Sequence, residues 1–232
     1  MGERSKQIGD YGENIVNSVI NDILGWRGST NLEFSCKARK KHRKKTHDLD
    51  FFGAYSSSVK RDTRDILYVS TKNYNFTNIK GDFKRFVEHI ANSKKCFISD
   101  RQYAQLIGQV EESVCKHNLI LFLLAHSEED RFDLVSKLGN IIDELNFDFD
   151  KLYLIDNGQL DFLYHSHNFV NNKFPEGNIE YFYPETGLNT QSSEGRRYAG
   201  KVLPVEFINS RIIPFRVTES ENKSLLITVR ED

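Results

Sequence analysis

The chain has 232 residues, a length that suits one domain or one domain with an appendage. Its 32 basic and 33 acidic residues nearly cancel, so any attraction to nucleic acid must come from local patches rather than from a global positive field. The three cysteines are odd in number and lack metal-ligand spacing. We therefore predict that they are free thiols in a reducing compartment.

The polar N-terminus and the short apolar runs bear on the location of the protein. The first ten residues are polar, which is unlike a secretory signal. The longest apolar run, residues 119–125, is too short to span a bilayer. We therefore expect a cytoplasmic protein that does not associate with membranes.

The first predicted element is a helix over residues 5–24, where apolar residues recur at spacings of three and four and Gly25 provides a stop signal. Glu13 lies in the first half of this helix. Residues 27–46 are predicted to be a polar connection that carries a basic run. The run consists of Lys37, Arg39, Lys40, Lys41, Arg43, Lys44 and Lys45. Two interpretations remain open: a solvated loop, or contact with the phosphate backbone of a nucleic acid.

A hairpin is predicted directly after the basic run. Its first strand places Asp48 and Asp50 on one face, because side chains alternate along a strand. Its second strand places Ser70 and Lys72 on one face by the same rule. The two strands are residues 47–52 and 66–72.

The predicted hairpin would bring two carboxylates close to a lysine. Carboxylate oxygens bind hard cations such as Mg²⁺. A lysine beside them can orient a water molecule and neutralise developing negative charge. The alternative interpretation is an ordinary amphipathic hairpin with its charged residues in water.

Helical and strand patterns alternate along the next part of the chain. Helices are predicted over residues 82–92, 100–115 and 128–145, and strands over 94–99, 117–125, 150–155 and 159–164. The run 117–125 is almost continuously apolar, as expected for a strand that is buried on both faces. This order predicts an α/β sheet with helices on its faces.

The last part of the chain has a different composition. It shows no convincing helical period and contains all four prolines. Its strand candidates are residues 179–183, 201–208, 212–217 and 224–229. We predict a core over residues 1–165 and a β-rich C-terminal extension over residues 166–232.

Several of these residues together resemble a known superfamily. A helix with Glu13, a strand with Asp50 and a strand that ends in Ser-Thr-Lys at residues 70–72 are similar to PD-(D/E)xK, or restriction-endonuclease-like, nucleases of the Mrr-like group. The resemblance covers residues 5–125. It implies a mixed central sheet flanked by helices, in the order helix, three strands, helix, strand. It also implies cleavage of phosphodiester bonds with Mg²⁺ or Mn²⁺ as cofactor.

The resemblance assigns roles to individual residues. Asp50 matches the metal-binding aspartate of the superfamily, and Lys72 matches the catalytic lysine. Glu13 matches the helix glutamate that orders a metal-bound water. Ser70 stands where the superfamily usually has an acid, so one metal-binding carboxylate is missing from its usual place.

Three explanations for the missing acid remain open. Asp48 can supply the charge as a further metal ligand, or Glu88 can reach back from the following helix. In the third explanation the protein is an impaired catalyst that only binds nucleic acid or a partner. Each explanation keeps Ser70 among the residues of the candidate site.

The resemblance also suggests a biological setting. A nuclease of this size without its own sequence-reading domain resembles nucleases of bacterial anti-phage defence, which often work with a partner subunit. We therefore expect DNA as the substrate, with RNA as the open alternative. We also expect a homo-oligomer or a hetero-complex with a protein partner.

Overall fold

The computed structural model describes residues 3–60, 62–108, 114–125, 134, 138, 141, 151–184 and 197–231. Its helices are α1 (Glu3–Ser18), which continues as a π-helical turn (Val19–Ile23), α2 (Arg39–His42), α3 (Phe76–Ile98), α4 (Arg101–Ile107) and α5 (Asn157–Lys173). Its strands are β1 (Gly28–Ser35), β2 (Thr46–Ser56), β3 (Thr63–Tyr74), β4 (Val114–Ala125), β5 (Lys151–Asp156), β6 (Asn178–Phe182), β7 (Ala199–Gly200), β8 (Ile212–Glu219) and β9 (Asn222–Val229). Within these ranges no helix has the length and apolarity that a membrane crossing requires.

A five-stranded mixed sheet forms the centre of the fold. Its strand order is β1-β2-β3-β4-β5, with antiparallel pairing from β1 to β3 and parallel pairing from β3 to β5. The strand β4 is buried without a break from Asn118 to Ala125, because both faces of the sheet are covered. This architecture confirms the predicted α/β fold with a mixed central sheet flanked by helices.

Two sets of apolar side chains cover the opposite faces of β3. Leu67 and Val69 pack into the cluster formed with α1, α5 and the C-terminal strands. Ile66 and Tyr68 pack into the cluster under α3. The alternation of strand side chains therefore places α1 and α3 on opposite sides of the sheet.

The C-terminal strands form a second, antiparallel sheet of order β7-β6-β8-β9. The hydroxyl group of Tyr181 donates a hydrogen bond to the carbonyl oxygen of Ile23 at 2.6 Å. The indole N–H of the buried Trp26 donates to the carbonyl oxygen of Leu203 at 2.8 Å. Buried donors need such partners, so these bonds fix the predicted β-rich extension against the end of the first helix.

The predicted polar connection over residues 27–46 is wrong. This segment contains β1 and α2, and β1 pairs with β2 from Gly28–Gly53 to Ser35–Thr46. Most side chains of β1 are exposed, because it is the edge strand of the first sheet. Its sequence therefore lacks the apolar alternation by which a half-buried strand is recognised.

Two predicted strands belong to helices instead. Residues 94–98 form the end of α3, where Phe97 is buried, and Ser99 is the C-cap of this helix. Residues 159–164 belong to α5, and the Asp156 carboxylate caps this helix by accepting a hydrogen bond from the backbone N–H of Gln159 at 2.9 Å. The segment 156–158 between the two predicted strands is therefore the N-terminus of a helix rather than a turn, because Asp and Asn favour both structures.

Two further predictions need correction. Residues 201–208 contain a 3₁₀ turn (Val205–Phe207) after Pro204 rather than a strand. The predicted helix over residues 100–115 is α4 at its start, but its end belongs to β4. The predicted helix over 128–145 falls largely outside the described residues. Its described positions are Leu134, Leu138 and Ile141, which are helical and pack together.

The predicted division at residue 165 falls inside α5, which runs on to Lys173. Leu163 and Val170 lie on either side of that position, two turns apart. Both are buried in the cluster that α1 and the second sheet share. The chain around residue 166 is therefore helical, contrary to the predicted loss of helical period there.

Substitution of Gly25 tests the packing of the C-terminal segment against α1. Gly25 has φ 66°, and a Cβ atom there would overlap the carbonyl oxygen of Lys201. Gly81 is exposed in α3, and no described atom would lie within 4 Å of its Cβ. At Gly25 alanine adds the strain of a positive φ, about 1–2 kcal/mol, to this overlap, whereas at Gly81 alanine favours the helix over glycine. We expect Gly25→Ala to lower the free energy of unfolding by more than about 2 kcal/mol and the control Gly81→Ala to leave it unchanged or raise it, as measured by urea denaturation. Equal losses would contradict the observed packing.

Candidate active site

The candidate site forms where β2 and β3 separate. Their ladder ends at the pair Phe51–Val69, whereas β3 remains paired with β4 as far as Tyr74. Beyond the last pair, the Oδ2 atom of Asp50 accepts a hydrogen bond from the backbone N–H of Thr71 at 2.5 Å. A carboxylate is a strong acceptor, so this bond fixes Asp50 in the fork between the two strands.

The strand β2 is irregular around Asp50. The paired positions of β1 and β2 omit the pair Asn31–Asp50, and Asn31 has φ 52°. Leu49 and Phe52 pack into one hydrophobic cluster, whereas Phe51 packs into the other. A regular strand would place Leu49 and Phe52 on opposite faces. The simple alternation assumed from the sequence is therefore interrupted at the aspartate.

In the Ser-Thr-Lys segment near the end of β3, only the lysine side chain is accessible. Ser70 and Thr71 are buried, with 2 % and 6 % of their surface exposed. Lys72 is half-buried, and its Nζ atom donates a hydrogen bond to the carbonyl oxygen of Thr71 at 3.0 Å. The lysine is therefore available to a ligand, whereas the serine in place of the usual acid is enclosed.

The helix α1 brings Glu13 to the same place. A Cβ atom at Gly12 would approach the Cβ atom of Asn73 on β3 to 2.7 Å, so the glycine allows close contact between helix and strand. Asn73 also donates a hydrogen bond to a backbone carbonyl of α1 at 2.8 Å. Burial raises the pKa of Glu13, the charge of Asp50 raises it further, and Lys72 lowers it. Glu13 thus lies within electrostatic reach of both residues.

A cleft of about 550 Å³ opens between α3 and the ends of β2 and β3. Its lining residues are His42, Lys44, His47, Asp48, Lys72, Tyr74, Arg85, Phe86, Glu88, His89 and Asn92. Most of them are charged or aromatic, and they come from the β1–β2 connection, the two strands and α3. The cleft therefore offers positive charge beside carboxylates, a combination that suits a metal-bound phosphate group.

Both alternatives for the missing acid border this cleft. Asp48 has 59 % of its side chain exposed, and its Oδ1 atom lies 3.2 Å from Nε2 of His89. The hydrogen bond from His89 lowers the pKa of Asp48 to about 2, so this carboxylate is ionised at neutral pH. Glu88 is exposed on α3 and lines the same cleft.

The predicted basic run lies on the connection between β1 and β2. A backbone hydrogen bond from Cys36 to Lys45, 2.9 Å long, closes this connection at its base. All seven cations of the run are exposed. Lys37 is paired with Asp100 at 2.9 Å, and Lys44 is the member of the run that lines the cleft. The other cations extend the positive surface beside the cleft.

Sequence reasoning missed the histidines of the cleft. His89 follows Glu88 on α3, and no sequence signal indicated its contact with Asp48. His47 is buried, and burial lowers its pKa to about 4. His42 and His47 are separated by four residues, a spacing that could have indicated paired ligands.

The comparisons with known proteins identify the family. A family model described as the GAPS4 protein PD-(D/E)XK nuclease domain matches residues 1–159. The chain belongs to this family. The match confirms the predicted relationship to PD-(D/E)xK nucleases and extends past β5 into the start of α5. No curated protein and no solved structure matches the chain.

The acidic residues at the fork fit a divalent cation. PD-(D/E)xK nucleases generally use metals such as Mg²⁺ or Mn²⁺, and hard cations take oxygen ligands. Asp50, Glu13 and Asp48 supply such oxygens, and the two aspartates both raise the pKa of Glu13. A cation between these carboxylates would relieve their mutual repulsion.

Substitutions of Asp50 separate its structural role from its charge. Asp50→Ala leaves the backbone N–H of the buried Thr71 without its acceptor, which should cost about 1–3 kcal/mol of unfolding free energy. Asp50→Asn keeps an acceptor oxygen and removes a like charge beside Glu13. We therefore expect Asp50→Asn to be destabilised less than Asp50→Ala, as measured by thermal denaturation without metal. Equal destabilisation by both variants would contradict this role of the hydrogen bond.

Proposed function

We propose that the protein is a Mg²⁺- or Mn²⁺-dependent endonuclease that hydrolyses phosphodiester bonds of DNA. The observation that carries this proposal is the convergence of Asp50, Glu13 and Lys72 from β2, α1 and β3 at one fork in the sheet. Membership of the PD-(D/E)xK family supports a nuclease. The cations beside the cleft support a substrate with a phosphate backbone.

The mechanism is an in-line attack of water on phosphorus. A bound divalent cation would polarise a phosphoryl oxygen and lower the pKa of the attacking water. Asp50, fixed by its bond from Thr71, and Glu13, held against β3, would hold the cation. The ammonium group of Lys72 lies against the carbonyl oxygen of Thr71. From that position Lys72 orients the water and offsets the negative charge of the transition state.

Activity assays on two site variants test this mechanism. Lys72→Met removes the charge that offsets the transition state, so we expect cleavage to fall by about 100-fold or more. Asp50→Asn should reduce cleavage at least as strongly. The matched control is Lys84→Met, which removes an exposed lysine of α3 that does not line the cleft.

The assay uses circular and linear DNA and single-stranded RNA, with Mg²⁺, Mn²⁺ or excess chelator. Cleavage of circular DNA distinguishes an endonuclease from an exonuclease. Wild-type rates in the Lys72→Met variant would overturn the assignment of that residue. Cleavage in excess chelator would exclude the metal mechanism, and cleavage of RNA alone would replace DNA as the substrate.

The acid missing at Ser70 is, in our proposal, supplied by Asp48. It lies two residues from Asp50 on the same strand, and its bond from His89 keeps it ionised. We expect Asp48→Asn to raise the Mg²⁺ concentration needed for half-maximal cleavage. The matched Glu88→Gln, which removes the other acid of the cleft, should leave that concentration near the wild-type value. The opposite result would assign the role to Glu88.

The second candidate function is a nuclease-fold subunit that binds nucleic acid or a protein partner without cleavage. The burial of Ser70 at the position of the usual acid favours it. Tight, salt-sensitive DNA binding with no product under any divalent metal would support this function. If Ser70→Glu then produced cleavage, the serine would be the cause of inactivity. If Ser70→Glu instead abolished the cleavage of an active enzyme, the serine would be adapted to an acid elsewhere in the cleft.

The basic run supplies a further prediction about binding. Replacement of Arg39, Lys40, Lys41 and Arg43 by Ser should weaken binding to all DNA sequences and reduce the salt dependence by about one unit of slope per lost phosphate contact. A charge-matched control replaces four exposed cations outside the cleft. These are Arg27, Lys151, Lys173 and Lys223. Equal losses in both variants would leave the basic run without a specific role in DNA binding.

We further propose that the protein acts in anti-phage defence with a partner subunit or as an oligomer. The support is the resemblance of a small nuclease to defence nucleases. Size-exclusion chromatography with light scattering measures the oligomeric state of the chain. Phage plating on cells that express the wild-type protein or the Asp50→Asn variant, with and without a candidate partner protein, tests the defence role.

A further inference from the structure

Four potential metal ligands meet beside the cleft, at the base of the basic run. Cys36 follows β1, His42 ends α2, His47 lies at the start of β2 and Cys96 lies on α3. One ligand atom from each residue lies within 4.8 Å of every other. Three of the four residues are buried, and His42 is half-buried. The fold therefore gathers two thiols and two imidazoles from four separate elements.

Four of the six distances between these atoms are close to the edges of a tetrahedron around zinc, and the two between His47 and the sulfur atoms are within 4.8 Å. The two sulfur atoms are 3.9 Å apart, and Nδ1 of His42 lies 3.4 Å from Cys36 Sγ and 3.5 Å from Cys96 Sγ. Nδ1 of His42 lies 3.1 Å from Nε2 of His47. Tetrahedral Zn²⁺ would give edges of about 3.8 Å between sulfurs, about 3.6 Å between sulfur and nitrogen and about 3.4 Å between nitrogens.

We propose that Cys36, His42, His47 and Cys96 bind one Zn²⁺ ion in a closed, structural site. Two cysteines and two histidines are a common ligand set of such sites, and four protein ligands leave no position for a substrate. Thiolate and imidazole ligands favour zinc over Mg²⁺. The site therefore differs in chemistry from the carboxylates at the fork of β2 and β3.

Backbone donors surround the sulfur atom of Cys96. Burial raises the pKa of the Cys96 thiol, and the backbone N–H groups of Lys37 and Ala38 donate hydrogen bonds to its sulfur atom. Outer-shell donors of this kind orient a metal-bound thiolate, and metal binding displaces the thiol proton. A disulfide with Cys36 does not explain the arrangement, because its bond length is about 2.05 Å and the observed separation is 3.9 Å.

A zinc ion at this place would connect the basic run to the core. The connection between β1 and β2 carries the basic run. Cys36 begins this connection, and His47 follows it as the second residue of β2. Cys96 anchors the cluster on α3, and the neighbouring Phe97 of α3 packs against Phe34 of β1. His47 also directly precedes Asp48 on β2. The ion would therefore hold both the basic run and the start of the acidic strand against α3.

Metal binding by the full chain tests this proposal. We would strip the purified wild-type protein with a chelator under reducing conditions and titrate it with Co²⁺, then with Zn²⁺. We expect the absorption of tetrahedral, thiolate-ligated cobalt to saturate at one ion per chain. Equimolar Zn²⁺ should then displace the cobalt, and the zinc-loaded protein should have a higher melting temperature than the stripped protein.

Single substitutions locate the ion. Loss of an outer-shell partner already weakens metal binding by about 10–100-fold, so loss of a ligand in Cys96→Ser or His42→Ala should exceed that. His42 is half-buried, which makes His42→Ala the variant more readily compatible with folding. Cys115→Ser is the matched control, because it removes the third cysteine, which is outside the cluster. Asp50→Asn should also retain the zinc.

Several results would overturn the proposal. The proposal is wrong if the wild-type protein shows no thiolate–cobalt absorption at one equivalent, or if the freshly purified protein contains a Cys36–Cys96 disulfide. It is also wrong if folded Cys96→Ser and His42→Ala variants keep the zinc affinity of the wild-type protein. The wild-type titration decides the matter even if a variant does not fold. It is also independent of cleavage, so it can succeed where the proposed nuclease activity fails.

Discussion

The hydrogen bond between the Asp50 carboxylate and the backbone N–H of Thr71 is the constraint on which the candidate site depends. It replaces a ladder bond at the point where β2 leaves β3, so the sheet opens without leaving that buried N–H unpaired. The strand β3 can then continue beside β4 and carry Lys72 to the fork. One acceptor therefore completes the sheet and positions an acidic residue of the site.

The covering of the sheet on both faces explains how the remaining groups reach the fork. The helix α1 packs on one face, where Gly12 allows the close approach that brings in Glu13. The helix α3 packs on the other face and supplies Glu88 and His89 to the cleft. The groups of the site therefore come from both sides of one strand end, and rigid elements rather than loops hold most of them.

The basic surface beside the cleft has different support. The basic run lies on the edge connection between β1 and β2, and its cations are exposed. Such a connection has few apolar contacts to hold it. The cluster of two cysteines and two histidines lies at its base and joins it to α3. A metal ion there would supply the rigidity that the local sequence lacks, without adding charge to the cleft floor.

The sequence by itself determined the family, the mixed α/β class and most elements of the core. The apolar patterns of α1, β3 and β4 are clear enough to be recognised in one sequence. It did not identify the edge strand β1, whose side chains are mostly exposed. It also did not identify the start of α5, because the capping residue Asp156 and the following Asn157 also favour a turn. Tertiary structure alone decided the irregular setting of Asp50, the burial of Ser70 and the contact between Asp48 and His89. It also decided the meeting of Cys96 with His47, 49 residues away. Contacts between distant segments depend on how helices pack across the sheet, and local spacing does not encode that packing.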